Sequence, residues 1–250
     1  VNCAVITGTS RGLGEALALQ MLAKNYTLFC ISRKRNELLI KKAVQNKAAL
    51  YYHEFDLCDY NRIDALIDEI FNNIDLSSLS KVVLINNAAT LDPIGPIGKV
   101  SSDIIVKNYE LNMIAPALLS SGFIRKTKDA VIEKMIVSVS SGAAVKPYYG
   151  WSPYCSSKAA LELFTKCVAV EQQQYTSPVK CITFNPGVMN TEMQEQIRRT
   201  PEIDFINKER FLNFYKEGRL VSPETVAAKL IALIESNRIE NGNIYNVNEL

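Results

Sequence analysis

Short apolar runs of strand length alternate with longer helical patterns from one end of the sequence to the other, and nothing else restricts the fold so tightly. The runs cover residues 3–7, 27–32, 50–56, 82–86, 134–140, 180–185 and a short 243–247. Helical patterns between them span 13–24 (closed by Asn25), about 36–47, 60–74, about 102–125, 153–174, and a segment capped by Ser222 that runs to about 235. Val, Ile and Leu fill the strands almost without a polar face, so both sides of the sheet must be covered, and helical connections make its strands parallel. The expected fold is α/β: one doubly wound parallel sheet of about seven strands, helices on both faces, in a single domain over residues 1–250. No internal repeat or linker interrupts the pattern. Residues 188–220 break the alternation. Long, mixed in charge and rich in Met, Phe and Arg, this stretch follows the sixth strand and is placed to act as a substrate lid.

Thr7-Gly8-Thr9-Ser10-Arg11-Gly12-Leu13-Gly14 joins the first strand to the first helix. Glycines at 8, 12 and 14 let the backbone turn and approach a pyrophosphate at a helix N-terminus, with Ser10, Arg11 and Leu13 in the same loop. Alone, the stretch also reads as an ordinary glycine-rich turn, and its spacing differs from G-x-G-x-x-G. Its place directly after the first strand favours a nucleotide. An acid about 20 residues further on would bind the ribose 2′-hydroxyl of NAD. Here Ile31-Ser32-Arg33-Lys34-Arg35 supplies three successive cations and no acid, and Arg11 adds a fourth. A 2′-phosphate would pair with that charge. A merely solvated basic helix start is disfavoured, because cations oppose the dipole there. The expected cofactor is NADP(H), with Ser32 and Arg33 among its contacts.

Asp56-Leu57 ends the third strand where an adenine would lie, although Asp56 can equally cap the segment near Asp59. Asn86-Asn87-Ala88-Ala89 ends the fourth with residues small enough for a flat ligand to lie close to the backbone. In Gly150-Trp151-Ser152-Pro153-Tyr154-Cys155-Ser156-Ser157-Lys158, Ser152 can cap a helix and Pro153 suits its first position. Tyr154 and Lys158 then share one helix face. A free phenol titrates near ~10, and an ammonium about 4 Å away at an effective dielectric near 20 supplies roughly 4 kcal/mol, about 3 pK units. Such a phenol would approach neutrality and give a proton to a carbonyl oxygen. A lone Tyr-x-x-x-Lys also arises by chance on solvated faces, so its partners decide.

Bulk properties exclude other classes. Against 28 basic residues stand 26 acidic ones, and a net charge of +2 is too balanced for nucleic acid or an anionic membrane. Six cysteines form no C-x-x-C pair and mostly lie in apolar runs, which suits reduced core thiols rather than disulfides or a metal site. His53, the one histidine, has no evident metal partners and is expected to be structural. No apolar run is long enough to span a membrane and no leader pattern precedes the first strand, so a cytoplasmic protein is expected.

Thr7–Gly14, Asn86–Ala89, Tyr154-x-x-x-Lys158 and Asn185-Pro186-Gly187, in this order, make the chain resemble a short-chain dehydrogenase/reductase over essentially its whole length. The resemblance implies a seven-stranded Rossmann sheet and a catalytic tetrad of Asn, Ser, Tyr and Lys. Tyr154 and Lys158 fill the last two places, Ser141 matches the serine and Asn112 the helix asparagine. Ser141 would hold the substrate carbonyl and Tyr154 would protonate it. Lys158 would lower the tyrosine's pKa and bind the nicotinamide ribose, and Asn112 would relay protons through water towards Lys158. Asn87, Ala88, Pro186, Gly187, Val188 and Thr191 match cofactor-holding positions. A homodimer through the helices at 102–125 and 153–174 is also implied.

Gly150–Cys155, Gly218-Arg219-Leu220-Val221 and the short last strand resemble more closely the sepiapterin reductase branch with its related benzil reductases. Sepiapterin reductases carry a pterin-anchoring aspartate near the C-terminus. Asn246 falls there, and an amide does not supply that charge. Tyr148, Tyr149, Trp151, Met189, Met193 and Phe211 suit a flat apolar diketone, and equally suit packing of the lid on the core. The expected activity is NADPH-dependent reduction of a small or aromatic α-dicarbonyl or ketone to a hydroxyketone. The alternatives are reduction of a pterin side-chain diketone or, in a different class, a non-catalytic NADP(H) sensor. A sensor would have no use for the set Tyr154, Lys158, Ser141 and Asn112.

Overall fold

A computed structural model describes residues 1–236 and 238–250. Seven parallel strands form one sheet in the order β3-β2-β1-β4-β5-β6-β7: β1 (Asn2–Thr7), β2 (Tyr26–Ser32), β3 (Leu50–Glu54), β4 (Lys81–Asn86), β5 (Glu133–Val139), β6 (Lys180–Asn185) and β7 (Ile244–Asn246). The helices are α1 (Gly12–Ala23), α2 (Glu37–Gln45), α3 (Ile63–Asn72), α4 (Ser102–Tyr109), α5 (Ala115–Thr127), α6 (Ser152–Gln172), α7 (Glu192–Arg199), α8 (Lys208–Lys216) and α9 (Pro223–Glu235). The strand side chains divide by the two-residue period of a strand. Ala4, Ile6, Val83, Ile85, Val137 and Ile182 pack towards α1 and α9. Cys3, Val5, Val82, Leu84, Ile136 and Cys181 pack towards α3, α5 and α6. Burying each such aliphatic side chain contributes about 1.5–3 kcal/mol, which is why the strands show no polar face.

The helix expected over 102–125 is three pieces, α4, a wide π turn at Glu110–Ile114 and α5. Pro116 explains the break, because it lacks the N–H that would close an α-helical bond to the Asn112 carbonyl. Ser152 is the first residue of α6 rather than its cap; Trp151 holds the cap position and makes no side-chain capping bond. Ser222 does cap α9, its hydroxyl accepting from the Thr225 amide. Residues 60–62 form a 3-10 turn ahead of α3, and the expected lid holds α7 and α8.

Candidate active site

The sheet order reverses direction between β1 and β4, and a crevice forms where strands diverge in this way at their carboxyl ends. The Thr7 hydroxyl accepts the amides of Asn87 and Ala88, both at 2.9 Å, while Asn87 Nδ2 donates to the Thr7 carbonyl at 2.9 Å. These bonds clamp the loop after β1 to the end of β4. A Cβ on Gly14 would lie 2.2 Å from the Gly8 carbonyl oxygen, so only glycine lets α1 start this close to the loop. Arg11 precedes α1 in extended conformation without a capping side chain. The Arg11 side chain therefore takes none of the first amides of the helix, at Gly12, Leu13 and Gly14.

Asn36 was not singled out by the sequence, yet it organises this end of the crevice. Buried, it caps α2 by accepting the Leu39 amide at 3.0 Å, and its Nδ2 donates to Glu15 at 2.8 Å and to the Thr9 and Ser10 carbonyls. Its position before Glu37 at a helix start was the available signal. Of the four cations, Arg11 is ion-paired with Glu192, and Arg35 with Glu54 at 2.8 Å. Among the described residues, Arg33 and Lys34 make no ion pair. Ser32 Oγ lies 2.6 Å from the Tyr52 hydroxyl and donates to the Lys34 carbonyl. Asp56 lies two residues past the end of β3 and accepts the Cys58 amide at 3.0 Å in a local turn; Asp59, not Asp56, holds the cap position of the 3-10 turn at 60–62. His53 lies 3.3 Å from Glu69. Burial lowers its pKa, partly opposed by the Glu69 carboxylate.

At the other end, Ser141 follows β5 and its hydroxyl caps a short 3-10 turn by accepting the Ala143 amide at 3.2 Å. Tyr154 and Lys158 both lie on the buried face of α6. The Lys158 ammonium lies 5.9 Å from the Tyr154 ring centre and donates to the Val139 carbonyl at 2.8 Å. Electrostatics differ here from the expectation of a phenol acidified by its lysine. Burial raises the Tyr154 pKa, opposed by the neighbouring Ser141 hydroxyl. Burial also lowers Lys158 to about 8, opposed by Glu162. Both groups are out of water, and desolvation of the charged form is the largest cause of each shift.

Asn112 is also brought to this face, but its amide is fully engaged. Its Oδ1 accepts the Thr90 amide at 2.9 Å, and its Nδ2 donates to the Thr90 carbonyl, Asn108 and Ser157. The side chain thus fastens the loop after β4 to α6.

Tyr148, Trp151, Tyr154 and Phe211 join Phe205 in one aromatic cluster, with Met193 and Val188 against it. Trp151 stacks on Phe205 at 4.4 Å and meets Tyr154 edge-on at 5.7 Å. Phe205, between α7 and α8 in the segment expected to be a lid, is a buried residue that sequence reasoning missed; its place in the run Ile203-Asp204-Phe205-Ile206 was its only mark. Gly150 lets the segment between α7 and α8 come close, since a Cβ there would lie 2.1 Å from the Asp204 carbonyl. Met189 packs instead with the core around α9, and Tyr149 is largely exposed. Asn246 pairs in register with Asn185, and its side chain donates to Glu249 at 3.1 Å. Pro186 is buried and Gly187 donates to Asn185 at 3.1 Å, in the segment leading to Thr191. Among the described residues, no helix is long and apolar enough to cross a membrane.

The model of the short chain dehydrogenase family matches residues 2–202. A Bacillus cereus protein, benzil reductase ((S)-benzoin forming), is 41% identical over 245 residues, covering 98% of this chain and 98% of its own. Sepiapterin reductase of Mus musculus is 29% identical over 257 residues, covering 97% and 95%. Among solved structures, the KRED1-Pglu enzyme superposes with a TM-score of 0.84 at 28% identity, covering 98% of this chain and 100% of that one. With the motifs joined at one crevice and the match running through them, the chain belongs to the short chain dehydrogenase family.

Proposed function

We propose that the chain is an NADPH-dependent carbonyl reductase that converts a small or aromatic α-dicarbonyl to a hydroxyketone. The observation that carries this reading is the 41% identity to a benzil reductase along 98% of both chains. The buried aromatic cluster around Tyr154 supports it, since flat apolar rings suit a diaryl or alkyl-aryl diketone.

The amides at the start of α1, with Gly8, Ser10, Asn87 and Ala88, would hold the dinucleotide; Arg33 and Lys34 would take the 2′-phosphate. When bound, this coenzyme supplies a hydride. Ser141 would bind the carbonyl oxygen, and Tyr154 would give its proton to that oxygen as the hydroxyl forms. A phenol pushed upward by burial stays protonated and is a competent donor. Lys158, bonded to the Val139 carbonyl, would hold the ribose and steady the phenolate left behind. The lid residues Phe205 and Phe211 would exclude water.

A pterin side-chain diketone is the second reading, favoured by the similarity to mouse sepiapterin reductase. Asn246 opposes it, being uncharged. The test is NADPH oxidation with benzil, 1-phenyl-1,2-propanedione and sepiapterin, each repeated with NADH and with Asn246→Asp. Benzil turnover with NADPH is expected. Turnover of sepiapterin alone would replace the first reading with the second, and no turnover of any carbonyl would favour a sensor.

A further inference from the structure

Glu162 lies one turn beyond Lys158 on α6 and is 8% exposed, a buried carboxylate that the reaction outlined above does not use. It accepts a hydrogen bond from the buried Ser140 hydroxyl at 2.7 Å. Ser140 immediately precedes Ser141, and its amide donates to the Phe184 carbonyl of β6 at 2.8 Å. One turn along, Thr165 Oγ1 donates to Ser138 Oγ at 2.9 Å. The inner face of α6 is thus bonded to Ser138 and Ser140, while Lys158 donates to the Val139 carbonyl between them. A lone buried carboxylate is strongly disfavoured, and one neutral hydroxyl does not compensate a full charge. Lys158, four residues back, is the cation on the same buried face of α6.

We propose that Glu162, held by Ser140, is a positioning residue of this site: it fixes the end of β5 that presents Ser141 and keeps Lys158 protonated. The proposal rests on the functional reading for what Lys158 does in turnover, but not for the electrostatics. Facing Lys158 on its own helix are Tyr154 and Glu162. The end of β5 packed against it presents the Val139 carbonyl, and among the described residues Glu162 is the charge that opposes the effect of burial on it.

Glu162→Gln removes the charge while keeping an oxygen for Ser140. In the protein without coenzyme, the titration of Lys158 is followed by NMR on carbon-labelled lysine, its signal assigned with Lys158→Met. Wild type should titrate near about 8, and Glu162→Gln about one unit lower. Glu162→Asp should shift less in the same direction and serves if the glutamine variant does not fold. With NADPH and benzil, kcat of Glu162→Gln should fall about fivefold at pH ~8 and return close to wild type at pH ~6. An unmoved Lys158 titration in the folded variants overturns the proposal, as does a loss of kcat equal at every pH. If wild type reduces no dicarbonyl yet the titration shifts, the functional reading fails and the role of Glu162 towards Lys158 stands.

Discussion

Arg11, in the loop after β1, is ion-paired with Glu192 at the first turn of α7, joining two segments 181 positions apart. The pair ties the proposed phosphate site to α7 in the proposed lid, and both side chains are more than half exposed. Exposed pairs of this kind contribute about 0–1 kcal/mol. If Arg11 also serves the 2′-phosphate, Glu192 competes for it. Glu192→Gln should therefore tighten NADPH up to about fivefold and leave NADH unchanged. Quenching of Trp151, the only tryptophan in the chain, reads both affinities.

Arg33→Ala should weaken NADPH by about 10- to 100-fold, the loss of a charge-assisted bond worth roughly 1.5–3 kcal/mol. NADH should be affected less than about twofold. Equal losses for both coenzymes in the same titration would move the phosphate elsewhere.

Tyr154→Phe keeps the ring that packs edge-on to Trp151 and removes only the hydroxyl. Coenzyme affinity should hold within about twofold while kcat falls by about 10²–10⁴. Single-turnover kinetics with benzil checks this directly.

The depressed pKa of Lys158, about 8, links protonation to stability. Between that value and ~10.4 the unfolded chain binds a proton that the folded chain does not, so this group makes stability rise with pH across the window. Below it the folded state carries the full cost of a buried charge. Wild type should gain up to about 3 kcal/mol relative to Lys158→Met between pH ~7 and ~10.5. Paired denaturant melts test the gain. Turnover should run the other way, declining as Lys158 loses its proton above about 8.

Ile104 and Val106 on α4, and Leu163 and Val170 on α6, are exposed apolar side chains on the helices proposed to form a homodimer. Sedimentation should give twice the chain mass. Leu163→Glu should shift the equilibrium towards monomer, whereas an unchanged sedimentation coefficient would place the interface elsewhere.

Strand positions, their parallel direction and the glycine loop were legible in the residues, because a buried strand must be apolar and a tight approach such as Gly14 to Gly8 excludes a Cβ. Tyr154 and Lys158 were legible for a similar reason: a four-residue spacing on a helix already places two side chains on one face. The π turn at 110–114 was marked only by Pro116, and apolar periodicity alone continued the helix through it. Asn36 and Phe205 left weaker marks still, since their partners come from segments distant in sequence.

Local chemistry thus determined which residues form the crevice: strand composition, loop glycines and helical spacing are properties of neighbours along the chain. Tertiary structure alone decided their charge states and pairings. Burial raises Tyr154 and lowers Lys158, Glu162 accepts from Ser140 on the same buried helix face, and Arg11 meets Glu192. Desolvation and ion pairing depend on what folding brings from afar, and no window of adjacent residues contains that information.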